Sequence, residues 1–309
     1  MGSVCDGKVA IVTGASRGIG RAIAQRLAAE GARVAVTART LRPGEGVYEG
    51  SLEETVDTIT DAGGAAVAVV ADLADAGLDR SRIVRDTVEA FGDPVDILVN
   101  NAAAARRFEL GFEHMTADEF RRQVEVNVWA AWDLALGVLP GMRARGAGWI
   151  VNVSSMGAAP KVGRPYTPVP MVGAQCLYGS TKAMLDRWST GAAMELAADG
   201  IAVNALAPEG AVATDNAMTV AAIDPKRAEP LETMAEATLA LCSGDPRRLT
   251  GRVTTSLSLL VELGRPVWSL DGRALVDGWQ PGEIDPGRLV PSYLRAFAAR
   301  RPGSPERRS

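Results

Sequence analysis

Thr13-Gly14-Ala15-Ser16-Arg17-Gly18-Ile19-Gly20 follows an apolar run, residues 9–13, and opens a stretch of helical periodicity, residues 19–30. Small residues at a turn from strand into helix let backbone N–H groups approach an anion, and the helix N-terminus adds partial positive charge. The turn is thus shaped for the pyrophosphate of a dinucleotide. Its spacing, G-x-x-x-G-x-G, differs from the commoner G-x-G-x-x-G, so its position between first strand and first helix carries the reading. Gly14, Ser16, Arg17, Gly18, Ile19 and Gly20 are the contacts expected there.

Outward from this turn, apolar runs alternate with amphipathic ones. Strands are expected at residues 9–13, 33–38, 66–71, 95–100, 149–154, 201–206 and 252–256, and helices at 19–30, 52–62, 80–91, 117–145, 177–198 and 231–242. Apolar strands separated by helices belong to a parallel sheet covered on both faces. The expected fold is α/β: a single doubly wound, Rossmann-type domain over residues 1–291, with a seven-stranded parallel sheet. No internal repeat divides it. Residues 292–309 carry Arg295, Arg300, Arg301, Arg307 and Arg308 among Pro, Gly and Ser, the composition of a frayed tail.

Composition narrows the function. The 309 residues are 47% hydrophobic, enough for a large core, and the net charge of −4 argues against nucleic acid as a partner. No apolar run reaches the length of a membrane span, and no signal peptide is evident at the start. Three cysteines, Cys5, Cys176 and Cys242, are odd in number and widely spaced, which suits a reduced, cytoplasmic protein. By default Cys176 is a small buried thiol. The lone histidine, His114, leaves no material for a histidine-rich metal site and lies in a polar stretch that reads as surface.

The end of the second strand speaks to the nucleotide. A dinucleotide without a 2′-phosphate is usually met there by a carboxylate that bonds the ribose hydroxyls. This chain has Val36-Thr37-Ala38-Arg39, and Arg17 adds a second guanidinium from the glycine turn. Two arginines and no acid suit a 2′-phosphate, so NADP(H) is the expected cofactor.

Further on, Tyr178-Gly179-Ser180-Thr181-Lys182 places a phenol and an ammonium at i and i+4, on one helical face, downstream of Ser155. A lysine close to a tyrosine favours the phenolate and lowers a pKa that is otherwise about 10. With these residues the chain resembles the short-chain dehydrogenase/reductase family from about Lys8 to Ser256. Thr13–Gly20 resembles that family's glycine motif, Asp72-Leu73 its adenine-contacting pair, and Asn100-Asn101-Ala102 its fourth-strand motif. Asn127 resembles the family's helix asparagine, while Ser155, Tyr178 and Lys182 match its catalytic set. The resemblance implies that Tyr178 exchanges a proton with the substrate oxygen and that Ser155 donates a hydrogen bond to it. It further implies that Lys182 holds the nicotinamide ribose, and that Asn127 helps hold a proton-relaying water. Cofactor contacts would include Asp72, Leu73, Asn100, Ala102, Tyr178, Lys182, Pro208 and Thr214.

Three departures stand out. The interval from Ser155 to Tyr178 is longer than the family's usual one, through a proline-rich insertion at 158–176 with Pro160, Pro165, Pro168 and Pro170. The segment from Arg39 to Ala62 is also long. The usual Pro-Gly after the sixth strand reads Pro208-Glu209-Gly210, with Thr214 one position late. The last two are similar to a subgroup called hydroxysteroid-dehydrogenase-like. Met156, Pro160, Val162, Tyr166, Val169, Met171, Val172 and Leu177 would line the cleft with apolar surface. A hydrophobic ketone or secondary alcohol is then the expected substrate. The alternative function is a nucleotide-sensing binding protein on the same fold, and a lesser one is dehydration or epimerisation. Trp129, Trp132 and Trp188 on the two longest helices point to a homodimer or homotetramer.

Overall fold

The computed structural model describes residues 3–104, 112–160, 176–214 and 228–289. Its sheet has seven strands in the order β3-β2-β1-β4-β5-β6-β7, and every adjacent pair is parallel. The strands are β1 (Val9–Thr13), β2 (Arg33–Ala38), β3 (Ala65–Val70), β4 (Ile97–Asn100), β5 (Gly148–Val153), β6 (Ile201–Ala207) and β7 (Val253–Thr255). The sequence-derived boundaries shift by no more than two residues. Every residue of β1, β4, β5 and β6 is buried, whereas β3, at the edge, keeps several exposed. That contrast follows from layers on both faces of the central strands.

Side chains alternate between two cores, as a two-residue period requires. Ala10 and Val12 of β1 face one core with α1 (Gly18–Ala29), α2 (Leu52–Asp61) and α7 (Leu231–Cys242). Val9 and Ile11 face the other, with α3 (Ser81–Phe91), α5 (Ala130–Arg145) and α6 (Leu177–Glu195). Local chemistry sets several helix ends. The Ser51 hydroxyl accepts from Glu54 N at 3.1 Å to start α2, and Thr116 and Glu119 form a reciprocal capping box before α4 (Ala117–Val124). Gly92 ends α3 at φ 74°, a conformation that disfavours any residue with a Cβ.

Two elements differ from the sequence reading. The expected single helix over 117–145 is interrupted by a π-helical turn, Glu125–Trp129, which carries Asn127. Hydrophobic periodicity cannot show one extra residue in one turn, and such turns gather at functional sites. The chain past β7 also holds a further helix, α8 (Ser256–Leu263), and then folds back over α1 and α7. Glu236, fully buried, accepts from Arg26 Nε at 2.5 Å and Arg265 Nε at 3.1 Å, locking that return in place. Gln280 fastens its far end through Val267 N, Val267 O and Val276 O. Residues 292–309 and the heart of the proline-rich insertion, 161–175, lie outside the described residues. Among the described residues, no helix is long and apolar enough to cross a membrane.

Candidate nucleotide and catalytic site

Strand order reverses between β1 and β4, and the crevice beyond their C-terminal ends is where such sheets receive ligands. Gly14 follows β1 with φ 68°, and a Cβ there would lie 2.9 Å from Ala102 Cα and from Asn101 Nδ2. At Gly20 a Cβ would overlap Asn101 Nδ2 and Gly14 O. The turns after β1 and β4 therefore close on each other only because both positions lack side chains. Asn101 Nδ2 donates to Thr13 O at 2.9 Å, and Thr13 Oγ1 accepts from the N–H groups of Asn101 and Ala102.

A cleft of about 320 Å³ opens over these turns. Of the expected cofactor residues, Gly14, Ser16, Arg17, Gly18, Ile19, Gly20, Arg39, Asp72, Leu73, Ala102 and Thr214 line it. Asn100 does not: its buried amide donates to Asn152 Oδ1 at 2.9 Å and Ala131 O at 3.3 Å, bracing β4 against β5 and α5. Its neighbour Asn101 faces the cleft instead, because successive strand residues point to opposite sides. Pro208 and the four expected catalytic residues also lie off this lining.

The two arginines meet in this cleft. Arg39 Nε is 4.0 Å from Asp72 Oδ1, with both side chains about half exposed, a pairing too wet to neutralise the guanidinium. Arg17 has its guanidinium 4.7 Å from the centre of the Tyr48 ring. Burial pushes the Arg17 pKa down; Tyr48 opposes that shift and the Arg39 charge adds to it. Two mutually repelling cations beside a glycine cradle fit the 2′-phosphate and pyrophosphate of NADP(H). Tyr48 was not singled out from the sequence. It belongs to a loop pressed on the glycine turn, where a Cβ at Gly50 would lie 2.6 Å from Ser16 O. Arg122 and Val126 line the cleft as well, and only their place on the packed helix brings them there.

The catalytic candidates converge at the end of β5. Ser155 opens a short 3-10 turn, Met156–Ala158, and its hydroxyl accepts from Gly157 N at 3.1 Å. Tyr178 stands in the first turn of α6 and shares a hydrogen bond with Ser155. Lys182, one turn on, is 1% exposed; its Nζ donates to Val153 O at 2.7 Å and sits 5.6 Å from the Tyr178 ring centre. Asn127 Nδ2 donates to Thr181 Oγ1 at 3.0 Å while its Oδ1 accepts from Ala104 N at 2.7 Å. The asparagine thereby ties the turn after β4 to the helix between Tyr178 and Lys182.

The electrostatics differ from expectation in one respect. Burial pushes the Tyr178 phenol up to about 12, and the Ser155 hydrogen bond offsets only part of that. Lys182, with its ammonium donating to Val153 O, is itself brought down to about 8 by burial, opposed by the Asp186 charge. Cys176 departs too: it is exposed, just before α6, while Cys5 and Cys242 are buried. His114 lies on the surface beside Glu113.

A doubly wound sheet with a glycine cradle at its switch point and a serine–tyrosine–lysine cluster beside it defines a dinucleotide-binding oxidoreductase scaffold. A family model, short chain dehydrogenase, matches residues 8–224. An uncharacterized oxidoreductase of Methylorubrum extorquens is 35% identical over 269 residues, covering 81% of this chain and 96% of that protein. A short chain dehydrogenase of Pseudocercospora fijiensis is 37% identical over 203 residues, covering 66% of this chain but only 59% of the longer relative. The crystal structure of a short chain dehydrogenase from Burkholderia cenocepacia, in complex with NADP, is 32% identical with a TM-score of 0.66, covering 82% of this chain and 97% of that one. The chain belongs to the short-chain dehydrogenase family.

Proposed function

We propose that the protein is an NADP(H)-dependent carbonyl reductase or alcohol dehydrogenase that interconverts a hydrophobic ketone and a secondary alcohol. The observation that carries this reading is the hydrogen bond between Ser155 and Tyr178, one helical turn from the buried Lys182. When bound, the reduced nicotinamide supplies the hydride. The remaining work falls to the chain. Arg17 and Arg39 hold the 2′-phosphate, and the turn from Gly14 to Gly20 holds the pyrophosphate. Ser155 donates to the carbonyl oxygen as charge develops on it. Tyr178, with a pKa near 12, keeps its proton at neutral pH and delivers it to the alkoxide, which suits the reductive direction. Lys182 presents an ammonium to the ribose hydroxyls, and Asn127 holds the helix and loop in register around it.

An apolar substrate is supported by Met156, which follows Ser155 and is only partly buried, whereas Leu177 is buried. The other expected lining residues from Val162 to Val172 lie outside the described residues. The test follows the absorbance of NADPH with a panel of aryl and alkyl ketones. Tyr178→Phe should cut turnover by a factor of about 100 or more, as expected of a lost proton donor, with NADPH affinity nearly unchanged. Full activity in that variant, or NADPH binding without turnover on any ketone, would sink the reading.

A further inference from the structure

Lys182 is among the largest fully buried side chains of the protein, yet its ammonium makes no ion pair among the described residues and donates only to Val153 O. A buried ammonium is costly unless an opposite charge lies close by. One turn along α6, on the same face, Asp186 presents a carboxyl whose Oδ1 is buried without a hydrogen-bond partner. Neither group has an ion pair among the described residues, and the two opposite charges stand one helical turn apart.

The surroundings offer hydroxyls in place of other charges. Asn152 of β5 donates to Ser189 Oγ at 2.9 Å, so this side of the strand faces α6, and Ser154, two residues on, shares that side. Pairing of Val153 with Leu206 and of Ala207 with Thr255 puts Ser154, Ala207 and Thr255 in one row across the sheet. Ser154 shares a hydrogen bond with the Asp186 carboxyl, while Thr255 Oγ1 is buried without a partner among the described residues. Elsewhere on the elements packed against α6, Asp199 pairs with Arg143, and Arg122 Nε is buried without a hydrogen-bond partner among the described residues. Glu125 takes Arg80 at 2.5 Å, Arg121 pairs with Asp118, Glu119 caps α4 and Arg122 lines the nucleotide cleft. The phenol of Tyr178 stays neutral up to about 12.

We propose that Asp186 is a positioning residue, the buried counter-charge that keeps Lys182 protonated beneath Tyr178. Its consequence for catalysis rests on the reductase reading, while its electrostatic content does not. Burial moves Asp186 up to about 6 and Lys182 down to about 8; the Ser154 hydrogen bond and then the Lys182 charge oppose the first shift, and the Asp186 charge opposes the second. Asp186 is therefore ionised across the range in which Lys182 titrates. Removing the carboxylate takes away the one charge that favours the ammonium, so Lys182 should lose its proton at lower pH.

The chain has few lysines, Lys8, Lys161, Lys182 and Lys226, so carbon-13 labelling of lysine in the full chain gives a short NMR spectrum. Lys182→Arg identifies the Lys182 signal. The expected result is a wild-type midpoint near 8. Asp186→Asn should lower it by roughly half a unit or more, and Asp186→Glu should restore part of it. The alkaline limb of ketone reduction should move down with it, kcat changing more than KM. Equal Lys182 midpoints in wild type and Asp186→Asn would overturn the proposal, with or without turnover. A midpoint that moves in a protein reducing no ketone would uphold the counter-charge and remove the reductase reading. Should Asp186→Asn not fold, the Asp186 carboxyl is titrated in the native chain. A step on the Lys182 signal that follows the Asp186 midpoint, expected near 6, supports the proposal, and a Lys182 signal that does not respond to the Asp186 titration overturns it.

Discussion

Lys182 is buried as deeply as Leu134 and Ile150, and the asymmetry between those residues explains much of the site. A leucine gains from leaving water, whereas an ammonium loses, so its placement marks a position held against its own stability. Asp186, partly buried, is likewise held against its own stability. Its folded-state pKa, about 6, lies above the ordinary 3.8, so the folded protein binds the proton more tightly than the unfolded chain between those values. The cost of the group is therefore fully present above pH 6 and absent below about 4. Asp186→Asn should raise the Tm of the cofactor-free protein at pH 7.5, by an amount worth at most about 3 kcal/mol. Thermal melts should show that gain shrinking as pH falls through the window; a constant gain would contradict the linkage.

Arg39 acts at the same scale. Its guanidinium is half exposed and only loosely paired with Asp72, which leaves it available to an anion. Arg39→Asp would put a carboxylate at the proposed 2′-phosphate position. Charge-assisted hydrogen bonds are worth about 1.5–3 kcal/mol, so the ratio of NADPH to NADH affinity should fall by roughly 10- to 100-fold. Titration with each nucleotide, read by fluorescence, checks this, and an unchanged ratio would take Arg39 out of the phosphate site.

At the scale of elements, the loop between β2 and α2 is more than a connection. Gly50, at φ 100°, lets it lie against Ser16 and Arg17, and Tyr48 then reaches over the Arg17 guanidinium. A cation–π contact at a partly exposed ring contributes about 0.5–1 kcal/mol. If Arg17 holds the 2′-phosphate as proposed, Tyr48→Ala should weaken NADPH by roughly two- to fivefold and NADH by less. Equal weakening of both nucleotides would make the ring a general wall of the cleft. The π-helical turn is a second such device. It sets Asn127 where one side chain can bond both Ala104 N and Thr181 Oγ1, which joins the nucleotide side of the site to the catalytic helix.

For the whole molecule, the outer surface of the helices from Ala117 to Arg145 and of α6 is the unusual region. Trp129, Trp132, Leu136 and Met184 are 48%, 44%, 52% and 56% exposed, and Trp132 rests on Trp188 with ring centres 5.6 Å apart. Trp129 faces outward and not into the core. Covering the exposed half of such a side chain contributes about 1 kcal/mol. Summed over both copies, these residues reach the order of the association cost, about 4 kcal/mol or more. Light scattering at micromolar concentration should give at least a dimer, and Trp132→Glu should dissociate it. A monomer in the native protein would remove this interface.

The strands, their alternation with helices, the glycine turn and the Ser155, Tyr178 and Lys182 set were legible in the sequence alone. Each is written in near neighbours: a two- or 3.6-residue period, glycines where a turn needs them, a phenol and an ammonium one helical turn apart. What the tertiary structure decided lies between residues far apart in the chain. It turned Asn101 to the cleft and Asn100 into the sheet, laid Tyr48 on Arg17, and folded the segment after β7 over Arg26 and Glu236. It also set burial against the expected effect on Tyr178, because enclosing the phenol favours its neutral form. Local patterns specify elements because the backbone imposes their periods. Desolvation and long-range partners depend on which surfaces meet, and only packing determines that.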